Sequence, residues 1–233
     1  MRPPNIFKNF KLMFTLTIFM VSINLTKEQE DYINAVYELQ DTLGIAKIVH
    51  LSRILNYSPG AINDEMKRLE KKGYVIRIPY RGFRLSQDGM EVARITVRKH
   101  RISEAFLFHI LDVPWERCHL LSMEIEHSIS GDLEKYIIEK IKDNKKCPHG
   151  NSFDINEDTK DLRLVDAELG KEYTVKRISY EESSTLFIMR SYGIIPGKKI
   201  RVLSRDKHGV MVSTENGDFH LEGIYEMAVR INE

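Results

Sequence analysis

Cysteine is nearly absent from this 233-residue chain: only Cys118 and Cys147 occur, and neither has a CxxC partner. A disulfide framework is excluded, a zinc knuckle or thioredoxin-like pair is not expected, and a reducing compartment, the cytoplasm, is the default. Long apolar runs are also missing. The longest, LMFTLTIFMVSINL, spans about 14 residues, short of the ~20 that cross a bilayer. It follows a basic, proline-containing start (MRPPNIFKNFK), a charged-then-apolar order without a small-residue cleavage site. The expectation for residues 1–24 is an extension from a start codon set too far upstream, with translation beginning near Met13, Met20 or later. A membrane anchor is the alternative. Net charge is almost nil at +1, which excludes a uniformly basic or acidic protein. HExxH is absent as well, and so is any nucleophile placed on a strand.

Charge is present in quantity and is unevenly spread. Residues 60–101 hold eleven lysines and arginines against five acidic residues, whereas residues 112–170 hold eight against fourteen. That order places a surface for a polyanion ahead of a region for cations, although solvated charge runs would give the same count.

From Leu25 the apolar spacing becomes regular. LTKEQEDYINAVYELQ offers Thr26 as N-cap and Tyr32, Ile33, Val36, Tyr37 and Leu39 at helical intervals. IAKIVHLSRILNYS predicts a short amphipathic helix. SPGAINDEMKRLEKKGYV starts a further helix with a Ser58 cap and Pro59 in its first turn, stopping at Gly73. VIRIPYRGFRLSQDG alternates around Arg81-Gly82, as a hairpin does. Helix, short helix, turn, basic helix and hairpin is the order of a winged helix-turn-helix, expected over residues 25–88. Its recognition helix presents Ser58, Gly60, Ala61, Asn63, Asp64, Lys67 and Arg68. The hairpin carries Arg77, Tyr80, Arg81 and Arg84 toward phosphates. A plain solvated helix is the competing reading, and it leaves the adjoining basic hairpin unexplained.

Residues 89–143 read as a helical segment broken at Pro114. The polar stretch 144–164, with CPHG in it, reads as a linker and His149 as a turn residue. Residues 165–233 alternate in short runs separated by Pro196-Gly197 and Asn216-Gly217, the pattern of a small SH3-like β-barrel. The fold class is therefore α+β, in three parts. Cys118 and Trp115 are expected in the core, and His109, on an apolar stretch, as a buried structural histidine.

The helical middle holds the chemistry. His100 and Glu104 are four apart; His119, Met123, Glu126 and His127 follow i, i+4, i+7, i+8 on one helix face. Such a stripe is normally apolar, yet here it carries imidazole, thioether and carboxylate, donors for a first-row divalent ion. Surface histidines and glutamates with no metal are the simpler alternative. A metallohydrolase would also need an open coordination position and a base in a cleft.

These motifs, together with VRKHRISEAFL, IEHSIS and CPHGNSF, resemble the metal-dependent regulators typified by the diphtheria toxin repressor and the manganese transport regulator, from Leu25 to the C-terminus. The resemblance implies a homodimeric repressor that binds a palindromic double-stranded DNA operator of metal-homeostasis genes when loaded with iron(II) or manganese(II), with two ions per subunit and no small-molecule substrate. One site would use Asp31, Met123, Glu126 and His127. The other would use His100, Glu104 and His119, with Glu182 from the C-terminal domain; Thr185 stands where iron-type members have a second amide ligand. Asp31 is a hard ligand and Met123 a soft one, while Asn34 replaces the extra glutamate of manganese-type members. One thioether and no second carboxylate favour Fe(II) over Mn(II). A manganese-responsive regulator and a metal-independent winged-helix regulator are the alternatives.

Overall fold

The computed structural model describes residues 25–142 and 144–232; the expected N-terminal extension, residues 1–24, lies outside them. Helix α1 (Lys27–Leu43) opens with a capping box. The Gln29 backbone N–H donates to Thr26 Oγ1 at 3.2 Å, and the Gln29 side chain accepts from the Thr26 N–H. Glu28 and Glu30 in its first turn complement the helix dipole. Its apolar stripe, Tyr32, Ile33, Val36 and Leu39, is buried. Helices α2 (Ile48–Leu55) and α3 (Pro59–Lys71) follow; Ser58 caps α3 through the Ala61 N–H. Ile62, Met66 and Leu69, at i, i+4, i+7, anchor α3 in the core and leave its opposite face to solvent.

Strands β1 (Val75–Ile78) and β2 (Gly82–Leu85) form the wing, paired antiparallel with Ile78 opposite Gly82. Ala46 bonds Phe83 reciprocally and fastens the wing to the α1–α2 turn. Glycine is required at position 82: φ is +137°, and a Cβ would lie 2.3 Å from the Ala46 carbonyl oxygen.

Helix α4 (Gln87–Leu111) is about 37 Å long at 1.5 Å per residue. It runs unbroken from the wing into the helical middle, so the two parts share one rigid rod. Its buried face includes Val92, Ala93, Thr96, Val97, His100, Ser103, Glu104 and Leu107. After Pro114 come a 3-10 turn, α5 (Cys118–Ile125), a second 3-10 turn (Glu126–Ser128) and α6 (Gly131–Lys140). Cys118 and Trp115 are buried as expected; His109 is exposed and meets Asn144 at 2.7 Å, contrary to the expectation of a buried histidine.

The stretch 144–164 is not a free linker. Cys147 and Phe153 complete a cluster with Ile102, Ala105, Ile129, Ile137 and Ile141, and Ile155 enters the main core. Polar composition suggested a loop, but four of its polar side chains (His149, Asn151, Ser152 and Asp158) are buried because each has an internal partner.

The C-terminal part is an antiparallel sheet in the order β3-β8-β4-β5-β6-β7, comprising β3 (Leu162–Arg163), β4 (Glu172–Ile178), β5 (Lys199–Arg205), β6 (Gly209–Thr214), β7 (Gly217–Glu222) and β8 (Val229–Asn232). Helices α7 (Ser183–Ser191) and α8 (Ile224–Ala228) complete it. The style is SH3-like, but the sheet stays open, since β3 and β7 do not pair, and it is not the closed barrel the strand spacing suggested. Its core merges with that of the head into one cluster. Among the described residues, no helix is long and apolar enough to cross a membrane.

Candidate metal centres and DNA-binding face

Helix α1 and the α5 terminus meet at the first centre. Asp31, Glu126 and His127 bring one ligand atom each to within 4.8 Å of one another. His127 Nε2 lies 2.9 Å from Asp31 Oδ1, and its Nδ1 lies 2.9 Å from Glu30 Oε2. Asn34 donates to Glu126 Oε1 at 3.1 Å. Met123 lines the same cavity. Burial raises Asp31 to about 6, despite the opposing pull of His127.

The second centre lies deeper. His100, Glu104 and His119 converge as the sequence suggested, but the carboxylate joining them from the C-terminal part is Glu181, not Glu182. Glu181 Oε2 is 3.3 Å from His119 Nδ1. Glu182 instead caps α7, accepting from the Thr185 N–H at 3.2 Å; Thr185 is buried in that cap. Adjacent residues of an extended segment point to opposite sides, so Glu181 faces the histidines while Glu182, one place on, faces the helix end.

Two further residues were missed by sequence reading. Cys147 and His149 are buried and form a four-residue cluster with the same Glu104 and Glu181. His149 Nδ1 is 3.1 Å from Glu104 Oε1. The available signal was CPHG itself, a Cys-x-His spacing between two helices and a sheet. The half-buried Glu38 of α1, unmarked by any motif, accepts from the Glu181 backbone N–H and is pushed up to about 7 by desolvation.

The donor set fits a cation. Both oxygens of the fully buried Glu104 carboxylate lack a hydrogen-bond partner, although His100, His119 and His149 nitrogens lie 3.1–3.6 Å from Oε1. A buried anion ringed by lone pairs off hydrogen-bond geometry is costly unless a positive charge sits among them. Separations of this size are the edges of a polyhedron whose metal–ligand bonds are about 2.0–2.2 Å. Without metal, protons stand in. Burial alone would lower His119, but the neighbouring Glu104 and Glu181 carboxylates outweigh it and hold it up to about 9. His100 and His149 are likewise raised: burial opposes the shift, and Glu126 and Glu104 for the first, Glu104 and Glu181 for the second, overcome it. Burial works to raise Glu181, as does Glu104, yet His149 and His119 bring it down to about 2. His100 also touches Glu126 through Nδ1, so one ring spans the two centres.

On the head, Gly60, Ala61, Asp64, Lys67 and Arg68 are exposed along α3 and Asn63 is half-exposed. Ser58 is exposed too, but its hydroxyl serves the cap. Lys67 pairs with Asp64 at 3.0 Å and Arg68 with Glu65 at 2.8 Å. At the wing tip Tyr80 is fully exposed and Arg81 exposed. The other two wing arginines have structural partners: Arg77 meets Glu70 at 3.1 Å and covers the Phe83 ring, and Arg84 donates to the Gly44 carbonyl at 2.7 Å.

Residues 24–83 match the model of the iron dependent repressor N-terminal DNA binding domain, and residues 86–153 that of the iron dependent repressor metal binding and dimerisation domain. The chain is 24% identical over 208 residues to the diphtheria toxin repressor of Corynebacterium efficiens, covering 83% of this chain and 90% of that one. It is 26% identical over 128 residues to the iron-dependent repressor IdeR of Mycobacterium tuberculosis, covering 54% and 55%. Among solved structures, T. acidophilum IdeR superposes with a TM-score of 0.79 at 28% identity, covering 90% of this chain and 98% of that one. The manganese regulator SloR shares the fold, with a TM-score of 0.77 at 21% identity over 90% of this chain and 100% of that one. Members of this family are repressors rather than enzymes, which sets the metallohydrolase reading aside. The chain belongs to the diphtheria toxin repressor family of metal-dependent transcriptional repressors, with a DNA-binding head and a metal-binding, dimerising middle.

Proposed function

We propose that this chain is an iron(II)-responsive, cytoplasmic homodimeric repressor that grips a palindromic operator of metal-homeostasis genes. Two ions per subunit are expected in the first instance, one at Asp31, Met123, Glu126 and His127 and one at His100, Glu104, His119 and Glu181. The observation that carries the reading is that Asp31 sits on α1 of the head while Glu126 and His127 sit on the middle part. A divalent ion supplies a positive charge that holds these carboxylates and imidazoles together. Asp31 thereby fixes α1, and with it α3, against the dimerising helices. Two heads so fixed match half-sites about one helical turn, ~34 Å, apart. Shifting that balance from mostly unmatched to mostly matched takes about 5 kcal/mol. Exposed Leu111, Leu120, Leu133 and Tyr136 on α4, α5 and α6 support a second copy covering this face. The Ser58, Gly60, Ala61, Asn63, Asp64, Lys67 and Arg68 face of α3 would enter the major groove, and Tyr80 and Arg81, flanked by Arg77 and Arg84, would meet the backbone.

Fe(II) is favoured by the Met123 thioether and by an amide, Asn34, in place of another carboxylate. Hard oxygens from Asp31 and Glu30 beside His127 favour the second reading, Mn(II). Operator affinity measured anaerobically with Fe(II), Mn(II), Co(II) and Zn(II) in turn separates them: Fe(II) should act at the lowest free concentration. Operator binding that persists undiminished under a strong chelator would overturn the metal-dependent reading altogether.

A further inference from the structure

Four polar side chains of α1 fall on one face at i, i+3, i+7 and i+10: Asp31, Asn34, Glu38 and Asp41. All four line the cavity into which Glu126, His100, His119 and Glu181 also project, and each reaches a different segment. Asp31 meets His127 at 2.9 Å, Asn34 donates to Glu126 at 3.1 Å, Glu38 accepts from the Glu181 backbone N–H, and Asp41 pairs with Arg177 at 3.2 Å. We propose that Glu38 is a positioning residue for the deeper centre: it holds the backbone of Glu181, and through that bond α1 registers whether Glu181 is engaged beside His100 and His119. This rests on the metal-dependent reading above and adds to the Asp31 tether a second attachment of the head.

Regular structure gives the Glu181 N–H no acceptor. Strand β4 ends at Ile178 and α7 begins at Ser183, so this peptide unit belongs to neither the sheet ladder nor the helix. Glu181 is buried, and a buried N–H without a partner is rarely tolerated. Glu38 therefore decides where the unit sits. One turn further along α1, Thr42 Oγ1 donates to the Ser179 carbonyl at 2.8 Å and lies 3.0 Å from Ser179 Oγ. The Ser179 N–H in turn donates to the Ala228 carbonyl at 2.8 Å. Residues 179–181 are pinned between α1 and the sheet, and the Glu181 side chain runs from that fixed point to the histidines. Its Oε2 lies 3.3 Å from His119 Nδ1 and 3.9 Å from His100 Nε2. Fixing a ligand from outside removes the poses that do not reach the ion. The two attachments also differ in what they set. Asp31 and Glu38 stand about 10 Å apart along the helix axis at 1.5 Å per residue. A single tether leaves α1 free to pivot, whereas two on the same face fix its direction, and that direction sets where α3 is presented.

The test uses the full chain, stripped of metal and titrated anaerobically with Co(II) against a chelating dye. In the His127→Ala background, where the deeper centre is read alone, Glu38→Ala should weaken the ion about tenfold or more. Glu38→Gln keeps an oxygen that accepts from the Glu181 N–H and should restore the affinity to within about threefold. In the Glu181→Ala chain, which has no carboxylate left to position, Glu38→Ala should change the affinity no further. Hydrogen exchange followed by mass spectrometry in the Asp31→Ala chain reads the link to the head. Co(II) should slow exchange in residues 36–43 of α1, and Glu38→Ala should abolish that slowing. Should Glu38→Ala fail to fold, Glu38→Asp, one methylene short of the N–H, takes its place. Undiminished Co(II) affinity in Glu38→Ala, or an equal loss with and without the Glu181 carboxylate, would overturn the proposal: the bond then only docks the sheet. So would a Glu38→Gln chain as weak as Glu38→Ala, because charge rather than the N–H bond would be at work. These results leave the Asp31 centre intact, whereas binding of no ion by the unsubstituted chain would sink the underlying reading as well.

Discussion

Arg177 of β4 and Asp41 of α1 form a buried ion pair between the C-terminal sheet and the first helix of the head, with Nη2 3.2 Å from Asp41 Oδ1. The same guanidinium, 1% exposed, also meets Asp161 and the Asp158 carbonyl. Around it, Thr42 Oγ1 donates to the Ser179 carbonyl at 2.8 Å and Arg230 to the Asp41 carbonyl at 2.6 Å. The sheet is therefore docked on α1 through polar groups that each require the other side. Arg177→Ala strands these carboxylates and should cost about 3–5 kcal/mol in urea unfolding. A loss below 1 kcal/mol would mean that the pair does not hold the docking.

Removing the link between head and middle should uncouple metal from DNA. Asp31→Ala and His127→Ala are expected to abolish metal-stimulated operator binding while the dimer stays folded by circular dichroism and sedimentation. Gel shifts showing full metal stimulation in either variant would refute the proposed mechanism.

Glu181 and Glu182 differ in role although they are neighbours. Glu182→Ala removes a helix cap and should cost roughly 0.5–2 kcal/mol of stability with metal affinity retained. Glu181→Ala should weaken metal binding about tenfold or more. Equal effects of the two on metal affinity, by competition with a chelating dye, would contradict the assignment.

On the proposed reading the wing would supply charge rather than base reading. Arg81→Ala should weaken binding to all DNA sequences about equally and lower the salt slope by about 1. A loss confined to one base pair of the operator would speak against this.

Acidity should act oppositely on the metal-free and loaded chains. His119 is raised from its ordinary 6.5 to about 9, so its contribution to the metal-free fold is complete below 6.5 and lost as pH rises through about 9. Glu181, lowered from 4.5 to about 2, contributes above 4.5 and ceases to as pH falls toward 2. A cation must displace the His119 proton, so metal binds more tightly as pH rises. Between pH 6.5 and 9 the metal-free chain should lose stability while the increment from Mn(II) grows. Parallel urea midpoints across that range, with and without metal, would refute the coupling.

Much of this protein was legible in its residues because the signals are local. The Thr26 cap, the Ser58-Pro59 start, the hairpin alternation and the i, i+4, i+7, i+8 stripe of His119, Met123, Glu126 and His127 depend on neighbours within two helical turns. What tertiary structure decided is how distant segments meet. Composition could not say that CPHG is buried, because polar residues enter a core only when partners arrive from elsewhere: the Trp115 carbonyl for His149, the Ile178 carbonyl for Asn151. Nor could it choose Glu181 over Glu182, since one step along an extended chain reverses a side chain. The open sheet, its docking through Arg177 on Asp41 and the sharing of Glu104 and Glu181 all arise from contacts between residues tens of positions apart, which no local periodicity encodes.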